Sequence, residues 1–279
     1  MLNWLYNIIV TSLLFFPEEA FIAQPSDFGL QSETVTCVTN DGVKLHGWFL
    51  PADGGQSKLG QGNPQPQSGQ AADGGQSKLG RATLLMLHGN AGNISGRLDK
   101  AKGWVDRGVS VLLIDYRGYG KSEGVITCEN DLYLDGAAAL KWLKDTKGIP
   151  YTEVILFGES LGAAPATELA IHTPLKGLIL EVPFESLRAM AKLYYPWVPS
   201  FVLKDFKLDN LSKISKILCP VFIIHGTDDD VCPYEMGRRL FENAVQPKDF
   251  LTIPGGMHSD LPEKGGPEYF DRPFRFFIE

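Results

Sequence analysis

Cysteine is scarce. None of the four cysteines (Cys37, Cys128, Cys219 and Cys232) stands in a Cys-x-x-Cys pair. That spacing excludes a zinc ribbon or a dithiol redox motif, and neither a metal nor a cofactor is expected. The expectation is free, mostly buried thiols in a reducing compartment. Basic residues are outnumbered, 26 Lys and Arg against 33 Asp and Glu, and they are scattered. A net charge of −7 with no basic stripe excludes nucleic acid as the main partner. A confident membrane span is also missing. The apolar segment Trp4 to Phe16 is too short and is broken by Asn7, Thr11 and Ser12. No Lys or Arg precedes it and no Ala-x-Ala site follows, so it reads poorly as a secretory signal. Two readings of residues 1–16 stand side by side. One is an apolar helix packed on the domain. The other is a peripheral membrane contact, with Trp4 and Tyr6 at headgroup level. The corresponding locations are cytoplasmic or membrane-associated.

Apolar residues, by contrast, are plentiful. At 44% hydrophobic over 279 residues, the chain can bury the core of one α/β domain, here residues 17–279. Residues 53–80 interrupt it. The stretch Ala52 to Gly60 recurs identically as Ala72 to Gly80, around a Gln-, Gly- and Pro-rich spacer. Such a composition cannot bury enough apolar surface to order itself, so a flexible insertion between two strands is expected.

Strand patterns fall at Thr34 to Val38, Lys44 to Leu50, Thr83 to Leu87, Val109 to Ile114, Val154 to Phe157, Gly177 to Leu180, Val221 to Ile224 and Phe250 to Ile253. Several are continuous apolar runs, as in strands covered on both faces. Helical patterns lie between them, at Ile94 to Arg107, Glu129 to Lys144, Leu161 to His172, Tyr234 to Val245 and Pro267 to Ile278. Asn40-Asp41-Gly42 predicts an antiparallel hairpin of the first two strands. The later strands require crossovers and a mostly parallel sheet, with ligands at the carboxyl ends of its strands.

Gly158-Glu159-Ser160-Leu161-Gly162 follows a strand and opens a helix directly. Small residues let that turn close and push the hydroxyl out of the sheet, where it can act as an acyl-transfer nucleophile. Gly120-Lys121-Ser122-Glu123-Gly124 has the same pattern, but a loop precedes it and no helix follows. Ser160 is therefore the candidate and Ser122 the decoy. A serine needs a base within reach. With the chain order Ser, acid, His, only His225 and His258 remain of the five histidines. His225 ends a strand; His258 lies in a loop after the last one and is the expected base. Asp228, Asp229 and Asp230 share the loop expected to carry the acid, and the residues alone do not choose among them. An oxyanion hole needs two main-chain N–H groups. Leu161 is one, directly after the serine. The other comes from His88-Gly89-Asn90-Ala91-Gly92-Asn93, with Asn90 the first choice and Ala91 the second.

Taken in order, these motifs, with Asp115-Tyr116-Arg117-Gly118-Tyr119-Gly120, His225-Gly226-Thr227-Asp228-Asp229 and Gly255-Gly256-Met257-His258, resemble the α/β-hydrolase superfamily. More narrowly, they are similar to bud-emergence-type serine hydrolases, which include depalmitoylating α/β-hydrolase-domain proteins. The resemblance implies an eight-stranded, mostly parallel sheet flanked by helices, with an N-terminal hairpin and a short lid. It also implies Asp229 as the acid and cofactor-free hydrolysis of a small-molecule ester or thioester. An acyltransferase, a peptidase or a non-catalytic binding module of the same fold are the alternatives. Asp115 and Arg117 are expected to be structural. The lid is expected at 182–214, whose Phe184, Leu187, Tyr194 and Trp197 are candidates for the substrate pocket.

Overall fold

The computed structural model describes residues 14–52 and 82–279. The expected apolar helix up to residue 13 and the repeat insertion at 53–80 lie outside the described residues. Eight strands form one sheet: β1 (Glu33–Val38), β2 (Lys44–Leu50), β3 (Ala82–Leu87), β4 (Val109–Ile114), β5 (Val154–Glu159), β6 (Gly177–Glu181), β7 (Val221–Gly226) and β8 (Lys248–Ile253). Their order across the sheet is β1-β2-β4-β3-β5-β6-β7-β8. The pairs β1–β2 and β2–β4 are antiparallel; every other pair is parallel. This is the α/β-hydrolase fold.

The hairpin forms where Asn40-Asp41-Gly42 stands. The Thr39 N–H donates to Val43 O at 2.9 Å, and Gly42 takes a φ of 89°. The central strands are buried along their whole length, yet a period of two persists in them. Leu85 and Leu87 point into one core, and Leu84 and Met86 into the other. Helices α1 (Leu98–Val105), α2 (Glu129–Lys147), α3 (Ala163–His172), α4 (Leu187–Tyr194), α5 (Leu211–Ile214), α6 (Tyr234–Asn243), α7 (Leu261–Gly265) and α8 (Pro267–Ile278) complete the layers. The first core takes Leu132, Leu140 and Leu143 of α2 and Ala163, Ala166 and Leu169 of α3. The second takes Leu98, Ala101 and Trp104 of α1 and Tyr269 of α8.

Two helices start later than expected. Ile94–Arg97 is a tight 3-10 turn because the Asn93 side chain accepts from Ser95 N at 3.0 Å and caps it there. Ser160–Gly162 is also a 3-10 turn, leading into α3. One pairing was not expected. Phe16 and Pro17 run parallel to Ala91 and Gly92, so the described N-terminal segment is laid along the loop after β3.

Candidate active site

The loops after β3, β5, β7 and β8 converge at the carboxyl edge of the sheet. At the end of β5, Ser160 has a φ of 49°, a left-handed conformation that costs an ordinary residue about 1–3 kcal/mol. Glycine at both flanks permits it. A Cβ on Gly162 would stand 2.0 Å from Leu87 O, and one on Gly158 would stand 2.5 Å from Gly162 O. The turn therefore packs directly against the end of β3 and presents the hydroxyl to a cavity.

His258 Nε2 lies 3.1 Å from Ser160 Oγ, and its Nδ1 lies 3.0 Å from both Asp229 carboxylate oxygens. Asp229 Oδ1 also accepts from Val231 N at 2.9 Å and Cys232 N at 2.7 Å. Its side chain is fully buried. Burial alone would raise its pKa; the hydrogen bonds from His225 and His258 outweigh that and hold it well below the usual carboxylate range. Asp228 and Asp230, by contrast, are exposed. Three groups far apart in sequence thus meet in one hydrogen-bonded line.

Ser122 occupies a different setting. Its hydroxyl donates to Asp115 O at 2.7 Å and accepts from His46 N at 2.9 Å, so it ties a loop to the hairpin. Arg117 is buried among Asp41, Asp131 and Asp135, at 2.8, 3.3 and 2.8 Å. His88 is buried and its Nδ1 lies 2.7 Å from Gly89 O.

The cavity above Ser160 measures about 380 Å3. Asn90, Leu161, Phe184 and Leu187 line it, together with Leu14, Phe15, Met190, Leu208 and Cys232. Tyr194 and Trp197 do not line it. Tyr194 is seven residues beyond Leu187, a rise of about 10 Å along α4. Its hydroxyl donates instead to Asp230 O at 3.0 Å and Val231 O at 2.8 Å. Trp197 is 73% exposed and stacks edge-on against Tyr195. The Cys232 thiol is buried, and burial, followed by the charge of Asp229, raises its pKa. A thiolate is disfavoured there.

Sequence reasoning missed the charged cluster beneath the serine. Glu159 accepts from Arg97 at 3.0 Å and from Lys100 at 2.6 Å; Lys100 also reaches Glu181 at 2.9 Å. Tyr269 donates to the other oxygen of Glu181. Arg97 further donates to Ala91 O at 2.8 Å, so it links the loop after β3 to the serine turn. These residues sit three apart on one turn (Arg97, Lys100) and in register on adjacent strands (Glu159, Glu181). That pattern is visible only once the strands are paired.

Residues 80–215 match the family described as Serine aminopeptidase, S33. The chain is 33% identical over 270 residues to protein Rv2307c of Mycobacterium tuberculosis, covering 96% of this chain and 86% of that one. Its fold and these matches make it an α/β-hydrolase-fold, serine-hydrolase-like protein. It is also similar to the Homo sapiens alpha/beta hydrolase domain-containing protein 17B, 35% identical over 195 residues, 70% of this chain and 65% of that one. The Pyrococcus furiosus esterase Pf2001 shares the α/β-hydrolase fold, with a TM-score of 0.70 over 95% of this chain and 100% of that one at 20% identity.

Proposed function

We propose that the protein is a serine hydrolase that cleaves carboxylic esters or thioesters through an acyl-enzyme, with Ser160, His258 and Asp229 as its triad. The observation that carries this reading is the unbroken line from Ser160 Oγ through His258 to Asp229, at 3.1 and 3.0 Å, opening on an apolar cavity. Ser160 Oγ attacks the acyl carbonyl while His258 Nε2 takes its proton. Asp229 holds the Nδ1–H and stabilises the imidazolium. The main-chain N–H groups of Asn90 and Leu161 receive the developing oxyanion. His258 then protonates the departing alcohol or thiol. In the second half it activates a water that attacks the acyl carbon and frees Ser160.

Phe184 and Leu187 form the apolar wall for the acyl group. The family description favours a second reading, aminopeptidase action. Such an enzyme must hold a substrate ammonium. Among the described residues Glu159 is the only carboxylate lining the cavity, and Arg97 and Lys100 already neutralise it. That favours an uncharged acyl group. Peripheral membrane association through residues 1–16 remains part of the proposal; among the described residues no helix is long and apolar enough to cross a membrane.

The test compares p-nitrophenyl esters, acyl thioesters and aminoacyl p-nitroanilides. Ester or thioester turnover with negligible anilide turnover supports the reading. Preferred cleavage of the anilides would replace it with the peptidase.

A further inference from the structure

A second hollow of about 360 Å3 lies beside the Ser160 cavity, lined by Phe15, Pro17, Tyr119, Val125 and Ile126, with Gly118, Gly124 and Arg117. Phe15 is the only residue common to both linings. Its ring is buried at 6% exposure and packs against Phe206, with centroids 5.4 Å apart. The chain around it is anchored. Leu14 O accepts from Asn90 Nδ2 at 2.7 Å, and Phe16 and Pro17 pair with Ala91 and Gly92. Glu18 O accepts from Gly120 N at 3.1 Å. Phe15 is thus held in place where the two linings meet.

The second hollow suits hydrocarbon. Tyr119 and Ile126 are buried apolar walls, and the one charge, Arg117, is already held by Asp41, Asp131 and Asp135. The other polar side-chain group of the lining, the Tyr119 hydroxyl, already donates to Asn90 O at 2.8 Å.

We infer that Phe15 sets the acyl-length limit of this site, and that the hollow behind it is a subsite for the distal methylenes of a long acyl chain once the ring is reduced. The inference rests on the hydrolase reading above. Phe15 acts as a specificity-determining residue: it touches the chain end, not the reacting carbonyl. Removing the ring joins the two spaces, so chains too long for the first cavity gain apolar contact in the second.

The experiment measures kcat/KM for p-nitrophenyl esters from acetate to palmitate in wild type, Phe15→Ala, Phe15→Leu and Phe15→Trp, with a fluorophosphonate label as a separate reading on wild type. The long-to-short ratio of kcat/KM is expected to rise about tenfold or more in Phe15→Ala, the scale of a few methylene contacts. Phe15→Leu should move it the same way by less, and Phe15→Trp the opposite way. Should Phe15→Ala fail to fold, the Leu and Trp variants carry the test. A labelled wild type whose chain-length profile is unmoved in all folded variants overturns this inference alone. A wild type that neither labels nor cleaves any ester overturns the hydrolase reading, and this inference with it.

Discussion

His225 Nε2 lies 3.2 Å from Asp229 Oδ2, and the same ring nitrogen lies 2.8 Å from Cys232 O. Both neighbours are acceptors, so Nε2 carries the hydrogen. His225 therefore fixes the carboxylate that holds His258, and it does so from a strand end backed by Gly237, where a Cβ would stand 2.3 Å from the imidazole. Asp229 receives two imidazoles and two main-chain N–H groups, while its neighbours Asp228 and Asp230 face solvent.

Asp229→Asn is accordingly expected to lower kcat by about 10^3 to 10^4, because the amide cannot fix the imidazole tautomer. Asp228→Asn and Asp230→Asn should stay near wild type. Steady-state kinetics on one activated ester decides it; a larger loss in either neighbour would move the acid.

Ser122→Ala should leave turnover nearly unchanged and cost about 1–3 kcal/mol of stability, the net worth of two hydrogen bonds. Its hydroxyl serves Asp115 O and His46 N, away from the cavity. Urea unfolding together with ester kinetics checks both parts. Loss of activity without loss of stability would contradict this assignment.

Acid should destabilise the protein through His88. Burial, with help from the Arg97 charge and against that of Asp115, lowers its pKa from 6.5 to about 4. The folded state keeps this imidazole neutral, whereas the unfolded chain protonates it. The stabilisation is therefore fully present above pH 6.5 and is lost as the pH falls towards 4. The loss amounts to ~3 kcal/mol at about 1.4 kcal/mol per unit. His88→Asn keeps a donor for Gly89 O and cannot titrate. Its unfolding free energy should fall less than that of wild type between pH 7 and pH 4.5, by urea titration at each pH. Parallel pH profiles would show that His88 is not the group responsible.

Lys100→Met should leave the half-buried Glu159 and the buried Glu181, paired in register on β5 and β6, without their shared cation. Burial already raises the pKa of Glu181. Breaking such a cluster costs about 3–5 kcal/mol. Thermal unfolding measures it, and the double variant Lys100→Met with Glu181→Gln should recover part of the loss. No recovery would mean that Lys100 acts through packing.

Much of this was legible before folding. Val109 to Ile114 and Lys44 to Leu50 match their strands end to end because apolar runs bounded by turn residues leave little choice. Ser160 stood out from Ser122 by its strand–turn–helix context, and the structure gives those two serines different surroundings. Asp229 was not separable from Asp228 and Asp230 by residue type. Only the course of the loop buries one and exposes two. The Arg97–Lys100–Glu159–Glu181 cluster joins residues up to 84 positions apart, from Arg97 to Glu181, and depends on strand register. Tyr194 reads as a pocket residue from its aromatic side chain and its place in the segment 182–214. The hydroxyl it offers to Asp230 O and Val231 O draws it to the rim instead.

The most direct measurement is fluorophosphonate labelling of wild type beside Ser160→Ala and Ser122→Ala. An activated Ser160 predicts stoichiometric labelling of wild type and Ser122→Ala, and none of folded Ser160→Ala. Labelling that survives in Ser160→Ala, or folded wild type that takes no label, would contradict the account.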